Sequence, residues 1–127
     1  MKRRPPRVLL ADDDIAARLG LRRQLEDAGY PVSAVSSGRD AILLCDIDPP
    51  DVLIMDVRLP DLDGFEVCER IRHDTRGADL TVILVTEPAD DMTRSYLGQM
   101  VEYAGADYFL VKPCDGHLLV QLVGDVA

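Results

Sequence analysis

Short runs of consecutive apolar residues recur along the chain at regular intervals. Val8–Ala11, Val52–Met55, Val82–Val85 and Phe109–Val111 are four of them, and Pro31–Val35 is a weaker fifth. Each has the length of a strand. A strand covered on both faces reads as an unbroken apolar run rather than an alternation, so the set predicts a buried parallel sheet. The segments between them carry apolar residues at helical spacing. Ala17, Leu21, Leu25 and Ala28 form one stripe, and Gly29 follows as a helix stop. Ser37 is placed to cap a helix with Ala41, Leu44 and Cys45 inward, and Asp63 one with Val67, Cys68 and Ile71 inward. A longer helix is predicted over Asp91–Ala104, with Tyr96, Met100 and Tyr103 inward. The last has Leu118, Leu119, Leu122 and Val126 inward. Five βα repeats with right-handed crossovers make a doubly wound α/β sandwich of three layers.

Composition agrees with one globular domain. The 127 residues are 47% apolar and 29% charged, enough to bury a core without staples. Three widely spaced cysteines, Cys45, Cys68 and Cys114, argue against a disulfide framework or a thiolate zinc site. The longest apolar run, Ala41–Cys45, is far short of a membrane span. The apolar run after Arg3-Arg4 is too short for a signal-peptide core. A cytoplasmic protein without membrane contact is expected. The net charge is −9, and four of the 14 basic residues lie within Met1–Arg7, so the rest is still more acidic. Such a surface repels phosphate backbones and excludes direct nucleic-acid binding over most of its area. Residues 1–6 are expected to be a flexible basic arm.

Function in an open parallel sheet gathers beyond the carboxyl ends of its strands. Here four apolar runs stop at polar residues: Asp12-Asp13-Asp14, Asp56, Thr86 and Lys112. Asp14 suits a helix N-cap. Asp12, Asp13 and Asp56 would crowd three carboxylates, which calls for a positive group between them. A hard divalent cation such as Mg²⁺ fits oxygen ligands of this kind. Lys112 adds a point charge for a phosphate oxygen and Thr86 a hydroxyl donor. Together they suit phosphoryl transfer to an aspartate nucleophile. His73 and His117 read as surface residues.

These residues resemble the receiver domain of two-component response regulators. Val8–Asp13 resembles the family's acidic pair after strand one. Met55–Gly64 resembles its phosphoacceptor loop, with Pro60 and Gly64 four and eight residues after Asp56. Val82–Thr86 and the stretch from Ala104 through Lys112-Pro113 resemble its later motifs. The resemblance runs from Arg7 onward and implies a flavodoxin-like sheet of order 2-1-3-4-5, with 1–127 as a single receiver domain and no output domain visible. It implies that Asp56 accepts a phosphoryl group from a histidine kinase or phosphotransfer protein. Asp13, Asp56 and the backbone carbonyl of Arg58 would hold Mg²⁺, with Asp12 acting through water. Lys112 would pair with the acyl phosphate, Thr86 and Phe109 would swing inward as the switch, and the Lys112–Pro113 bond would be cis. The face of the Asp91–Ala104 helix, the fifth strand and the last helix would then change shape for an effector domain or protein, and it is also the family's dimerisation face. No catalysis beyond its own phosphorylation and dephosphorylation is implied.

Two features depart from that pattern. The residue after the strand-four Thr is usually small, but here it is Glu87, followed by Pro88. Arg58 could pair with Glu87 across the mouth and gate phosphoryl entry. Thr86 and Lys112 stand 26 positions apart, a few more than usual, which puts extra length on the output side. Two other readings compete. A receiver-like binding module that works without phosphate is mildly favoured by Glu87. A haloacid-dehalogenase-like phosphatase shares Asp-x-Asp, a Thr and a Lys, but needs an acidic motif after the Lys that Asp115 cannot supply, and leaves the Asp56 loop unexplained.

Overall fold

A computed structural model of the protein describes residues 4–87, 105–112 and 115–126. Its sheet is built from β1 (Val8–Ala11), β2 (Val32–Val35), β3 (Val52–Asp56), β4 (Thr81–Thr86) and β5 (Tyr108–Val111), all neighbouring pairs parallel, in the order β2-β1-β3-β4-β5. The described helices are α1 (Ile15–Asp27), α2 (Gly38–Ile47), α3 (Gly64–Asp74) and the C-terminal helix (Gly116–Val126). No helix among the described residues is long and apolar enough to cross a membrane. The predicted helix over Asp91–Ala104, the extra length between Thr86 and Lys112, the cis bond at Pro113, Cys114 and most of the output face lie outside the described residues.

The unbroken apolar runs are strands because both faces are covered. Leu9, Ala11, Leu53, Met55, Val82 and Leu84 pack with the apolar sides of α2 and α3. Val8, Leu10, Val52, Ile54, Ile83 and Val85 pack with Leu25 of α1 and with Leu119 and Val123 of the C-terminal helix. β1, β3 and the last five residues of β4 are buried throughout, and Ala11, Val52, Leu53, Met55, Val82, Ile83 and Leu84 expose nothing. Cys45 and Cys68 sit free in the first of these layers, where burial pushes their thiols up to about 12 and about 11. They pack as apolar groups and are not thiolates at neutral pH.

Local signals start the helices where expected. Asp14, Ser37 and Asp63 each accept a backbone N–H from the third residue on, Ala17, Asp40 and Glu66, and so satisfy donors that the first turn leaves open. Gly29 ends α1 at φ 96°, where a side chain would be strained. Two predicted stripes need correction. On α1 only Leu25 is fully buried, and Ala17 and Ala28 are exposed, because small side chains do not reach the sheet. On the C-terminal helix Leu118 points to solvent and Val123 is buried in its place, a rotation of the inward face by about one residue. Arg7 also departs from the picture of a free basic N-terminus. Its Nη2 lies 2.6 Å from Asp48 Oδ2, and its backbone N–H donates to Asp51 Oδ2 at 2.7 Å.

Two polar clasps hold segments that are distant in sequence. The Arg72 guanidinium, near the end of α3, donates to the carbonyls of Ala78, Leu80 and Gly105 and to Asp107 Oδ2. Asp107 Oδ2 also accepts the Val82 N–H at 2.8 Å. One arginine therefore ties α3 to the starts of β4 and β5. Asp61, in the loop between β3 and α3, accepts the N–H groups of Gly38 and Arg39 on separate carboxylate oxygens at 2.8 and 3.0 Å. That fastens the loop after Asp56 to the N-terminus of α2.

Both clasps have measurable consequences. Arg72→Met removes the donors of three carbonyls and is expected to cost about 2–3 kcal/mol of stability, read as a lowered chemical-denaturation midpoint. The Gly38 and Arg39 N–H bonds hold the Asp61 carboxyl below its usual range. Its contribution is therefore full above the unfolded-state value near 4 and disappears as pH falls through the lower folded-state value. Asp61→Asn is expected to melt below the wild type at neutral pH, with the gap closing in acid. A gap that does not change with pH would show that charge at Asp61 has no part in holding the loop.

Candidate functional site

Buried polar side chains among the described residues are Asp12, Asp56 and Thr86, at 9%, 7% and 5% exposure. All three stand at the carboxyl ends of parallel strands. Burying these three while the other described polar side chains stay out of the core points to a reason other than packing.

Strand register brings them together. β1 and β3 pair Ala11 with Met55, β3 and β4 pair Asp56 with Val85, and β4 and β5 pair Thr86 with Val111. Alternation along each strand then decides which way each side chain faces. Asp12 follows Leu10, Asp56 follows Ile54 and Lys112 follows Leu110, all in rows directed at α1 and the C-terminal helix. Thr86 follows Leu84 in the opposite row, directed at α2 and α3, where Phe109 is partly buried. The charged groups and the hydroxyl–ring pair are thus divided between the two faces of one edge.

Lys112 is the hub of the charged set. Its Nζ donates to Asp56 Oδ2 at 2.6 Å and lies 3.5 Å from Glu87 Oε1 and 3.9 Å from Asp12 Oδ2. Burial disfavours the ammonium, but the Asp56 hydrogen bond and the charges of Asp56, Asp12 and Glu87 outweigh it and raise Lys112 above its ordinary value. Asp12 is raised chiefly by burial, against the Asp14 N–H bond and the Lys112 charge. Asp12 Oδ1 accepts the Asp14 N–H at 2.9 Å, and Arg18 Nη1 donates to the Asp12 carbonyl at 2.7 Å. Arg18 was not singled out from sequence. Its only signal is a basic residue one helical turn beyond an acidic run.

The loop after Asp56 is tightly constrained. Asp56 Oδ1 accepts the Arg58 N–H at 2.8 Å, and the Gly64 N–H donates to the Val57 carbonyl at 2.6 Å. A Cβ at Gly64 would stand 2.8 Å from Val57 Cα and 3.1 Å from the Asp56 carbonyl oxygen. Both are backbone neighbours that cannot move aside, which is why the eighth position after Asp56 carries glycine. Beside the carboxylates a cavity of about 590 Å³ runs between α1 and the C-terminal helix. Asp12, Asp14, Asp56, Glu87 and Lys112 line its polar end, and Ala17, Gly20, Leu21 and Leu119 its walls.

Two sequence expectations, for Asp13 and for the Arg58–Glu87 pair, are placed differently. Asp13 is exposed, whereas Asp12 and Asp56 are buried. Among the described residues no three acidic, His or Cys side chains stand in metal-holding geometry. Among the described residues the Lys112 ammonium is the positive group that reaches both Asp56 and Asp12. The expected Arg58–Glu87 pair is not among the ion pairs of the described residues, and Glu87 reaches Lys112 instead. Register explains that choice: Thr86 and Val111 are partners, and the Lys112 N–H donates to the Thr86 carbonyl at 2.7 Å, so Glu87 and Lys112 leave adjacent strands side by side. His73 and His117 are exposed, as expected.

Known proteins resemble this chain in sequence and fold. A family model described as the response regulator receiver domain matches residues 8–124. The response regulator MprA of Mycolicibacterium vanbaalenii is 41% identical over 86% of this chain, and the transcriptional regulatory protein AfsQ1 of Streptomyces coelicolor is 40% identical over 90%. The matches cover 45% and 48% of those proteins, so the chain spans about half the length of these relatives. The chemotaxis response regulator CheY4 of Vibrio cholerae superposes with a TM-score of 0.85 at 28% identity, over 98% of this chain and 100% of that one. The signal receiver domain of a signal transduction histidine kinase from Syntrophus aciditrophicus superposes at 0.84 with 29% identity, over 95% and 89%. With the sheet order, the buried carboxylates and the strand-end lysine, these matches make the chain a member of the response regulator receiver-domain family.

Proposed function

We propose that Asp56 is the phosphoacceptor of a two-component signalling switch. The observation that carries this reading is that, among the described residues, buried polar side chains are confined to Asp12, Asp56 and Thr86, with Lys112 bonded to Asp56. An Asp56 carboxylate oxygen attacks the phosphorus of a phosphohistidine on a sensor kinase or phosphotransfer protein. The phosphorus–nitrogen bond breaks as the new phosphorus–oxygen bond forms, and the imidazole nitrogen keeps the electron pair. Lys112 moves its hydrogen bond from the carboxylate to a phosphoryl oxygen. Thr86 donates its hydroxyl to another, and Phe109 follows it inward. The output is a changed face on β5, the C-terminal helix and the segment between β4 and β5, offered to an effector domain, a partner protein or a second copy. Catalysis is confined to the domain's own phosphorylation and dephosphorylation, in the cytoplasm.

The donor set fits Mg²⁺. Asp12 and Asp56 are buried oxygen donors at one sheet edge, with one ammonium facing both, a set of hard oxygen ligands that suits this ion. Asp13, Asp56 and the Arg58 backbone carbonyl would hold the ion, with Asp12 acting through water. When bound, it neutralises charge that builds on the transferring phosphoryl group. The Asp61 clasp on α2 holds the loop that carries Arg58.

A second reading has one observation in its favour. Glu87 shares Lys112 with Asp56, as a binding module that needs no phosphate could allow. Intact mass after incubation with acetyl phosphate separates the two. A gain of one phosphoryl group that requires Mg²⁺, and is absent with chelator and in Asp56→Ala, is expected. No gain in the wild type under any donor would sink the phosphoacceptor reading in favour of the binding module.

A further inference from the structure

We propose that Glu87 is a specificity-determining residue that makes the site discriminate phosphodonors by their charge. The inference rests on Asp56 being the phosphoacceptor. Glu87 follows β4 directly, and its side chain is 56% exposed, whereas those of Asp56 and Lys112 are 8% and 23% exposed. It therefore stands on the solvent side of the pair that does the chemistry, and it lines the polar end of the cavity beside Asp56. Its Oε1 lies 3.5 Å from Lys112 Nζ, on the same ammonium that holds Asp56 at 2.6 Å. Asp12 faces that ammonium too, at 3.9 Å.

Two effects follow from this placement. Three carboxylates share one ammonium, so the mouth is negative before any donor arrives. A donor approaching Asp56 meets the Glu87 charge, and the repulsion grows with the donor's own charge. Lys112 must also turn toward the incoming phosphoryl oxygens, and Glu87 competes for it with a full carboxylate. Both effects are electrostatic, act near water and shrink with salt. Neither depends on the bulk of Glu87, so an isosteric neutral side chain removes them without reshaping the opening. For a dianionic donor the expected penalty is several-fold in rate at low ionic strength and about twofold near physiological salt.

The test compares wild type and Glu87→Gln with two small donors under saturating Mg²⁺. Acetyl phosphate is dianionic; its phosphorus–oxygen bond breaks and acetate leaves. Phosphoramidate carries a single net charge; its phosphorus–nitrogen bond breaks and ammonia leaves. Glu87→Gln is expected to speed labelling by acetyl phosphate several-fold at low salt and labelling by phosphoramidate less, with both gains shrinking as salt is added. Equal gains with the two donors, a gain indifferent to salt, or no gain would each overturn the inference while leaving Asp56 as the phosphoacceptor. Absence of labelling in both proteins with both donors would overturn the phosphoacceptor reading, and the inference with it.

Discussion

A single ammonium group holds together the charge that the sheet edge gathers. Lys112 donates to Asp56 at 2.6 Å and faces Asp12 and Glu87 from a position less than a quarter exposed. Buried carboxylates without a counter-charge repel one another and lose hydration. Lys112 supplies that charge, and it can do so because β5 delivers it beside β4 in register. The same bond makes the site responsive. Any group that binds Asp56 must take over, displace or share the ammonium, so occupation of the site is felt at the end of β5.

The position of β5 in turn depends on contacts far from the carboxylates. Arg72 and Asp107 fix its start against α3 and β4, and the Lys112 N–H fixes its end on the Thr86 carbonyl. The strand is held at both ends and is an edge strand, with Tyr108 and Val111 exposed among the described residues. A strand of that kind shifts with less loss of packing than the buried β3 and β4. The loop after Asp56 is treated in the opposite way. Asp61 fastens it to α2, Asp63 to α3, and the close approach of Gly64 to Val57 leaves it no slack.

Much of this architecture is written in local patterns. Unbroken apolar runs identify four of the strands and a weaker run the fifth, and the caps at Asp14, Ser37 and Asp63 identify three helix starts, because these signals act within a few residues of one another. The polar residues that end the runs identify Asp12, Asp56, Thr86 and Lys112, since a strand end in a parallel sheet is also an edge of the molecule. The helical faces were less fully encoded. Alanines at helical spacing on α1 mark a stripe but do not bury it, and on the C-terminal helix Leu118 and Val123 exchange places.

Sequence by itself determined the element types, the order of the strand ends and the chemistry gathered there, because each is set by short-range periodicity and residue type. Only tertiary structure decided which face of the edge each group occupies and which partner it takes. Glu87 bonds toward Lys112 rather than Arg58 because strand register, which no local pattern states, sets those two side by side. Arg72 and Asp61 find their partners across gaps of 33 and 23 positions in the chain. Such contacts exist only once the sheet has closed the distance, and they place the site that the local patterns announce.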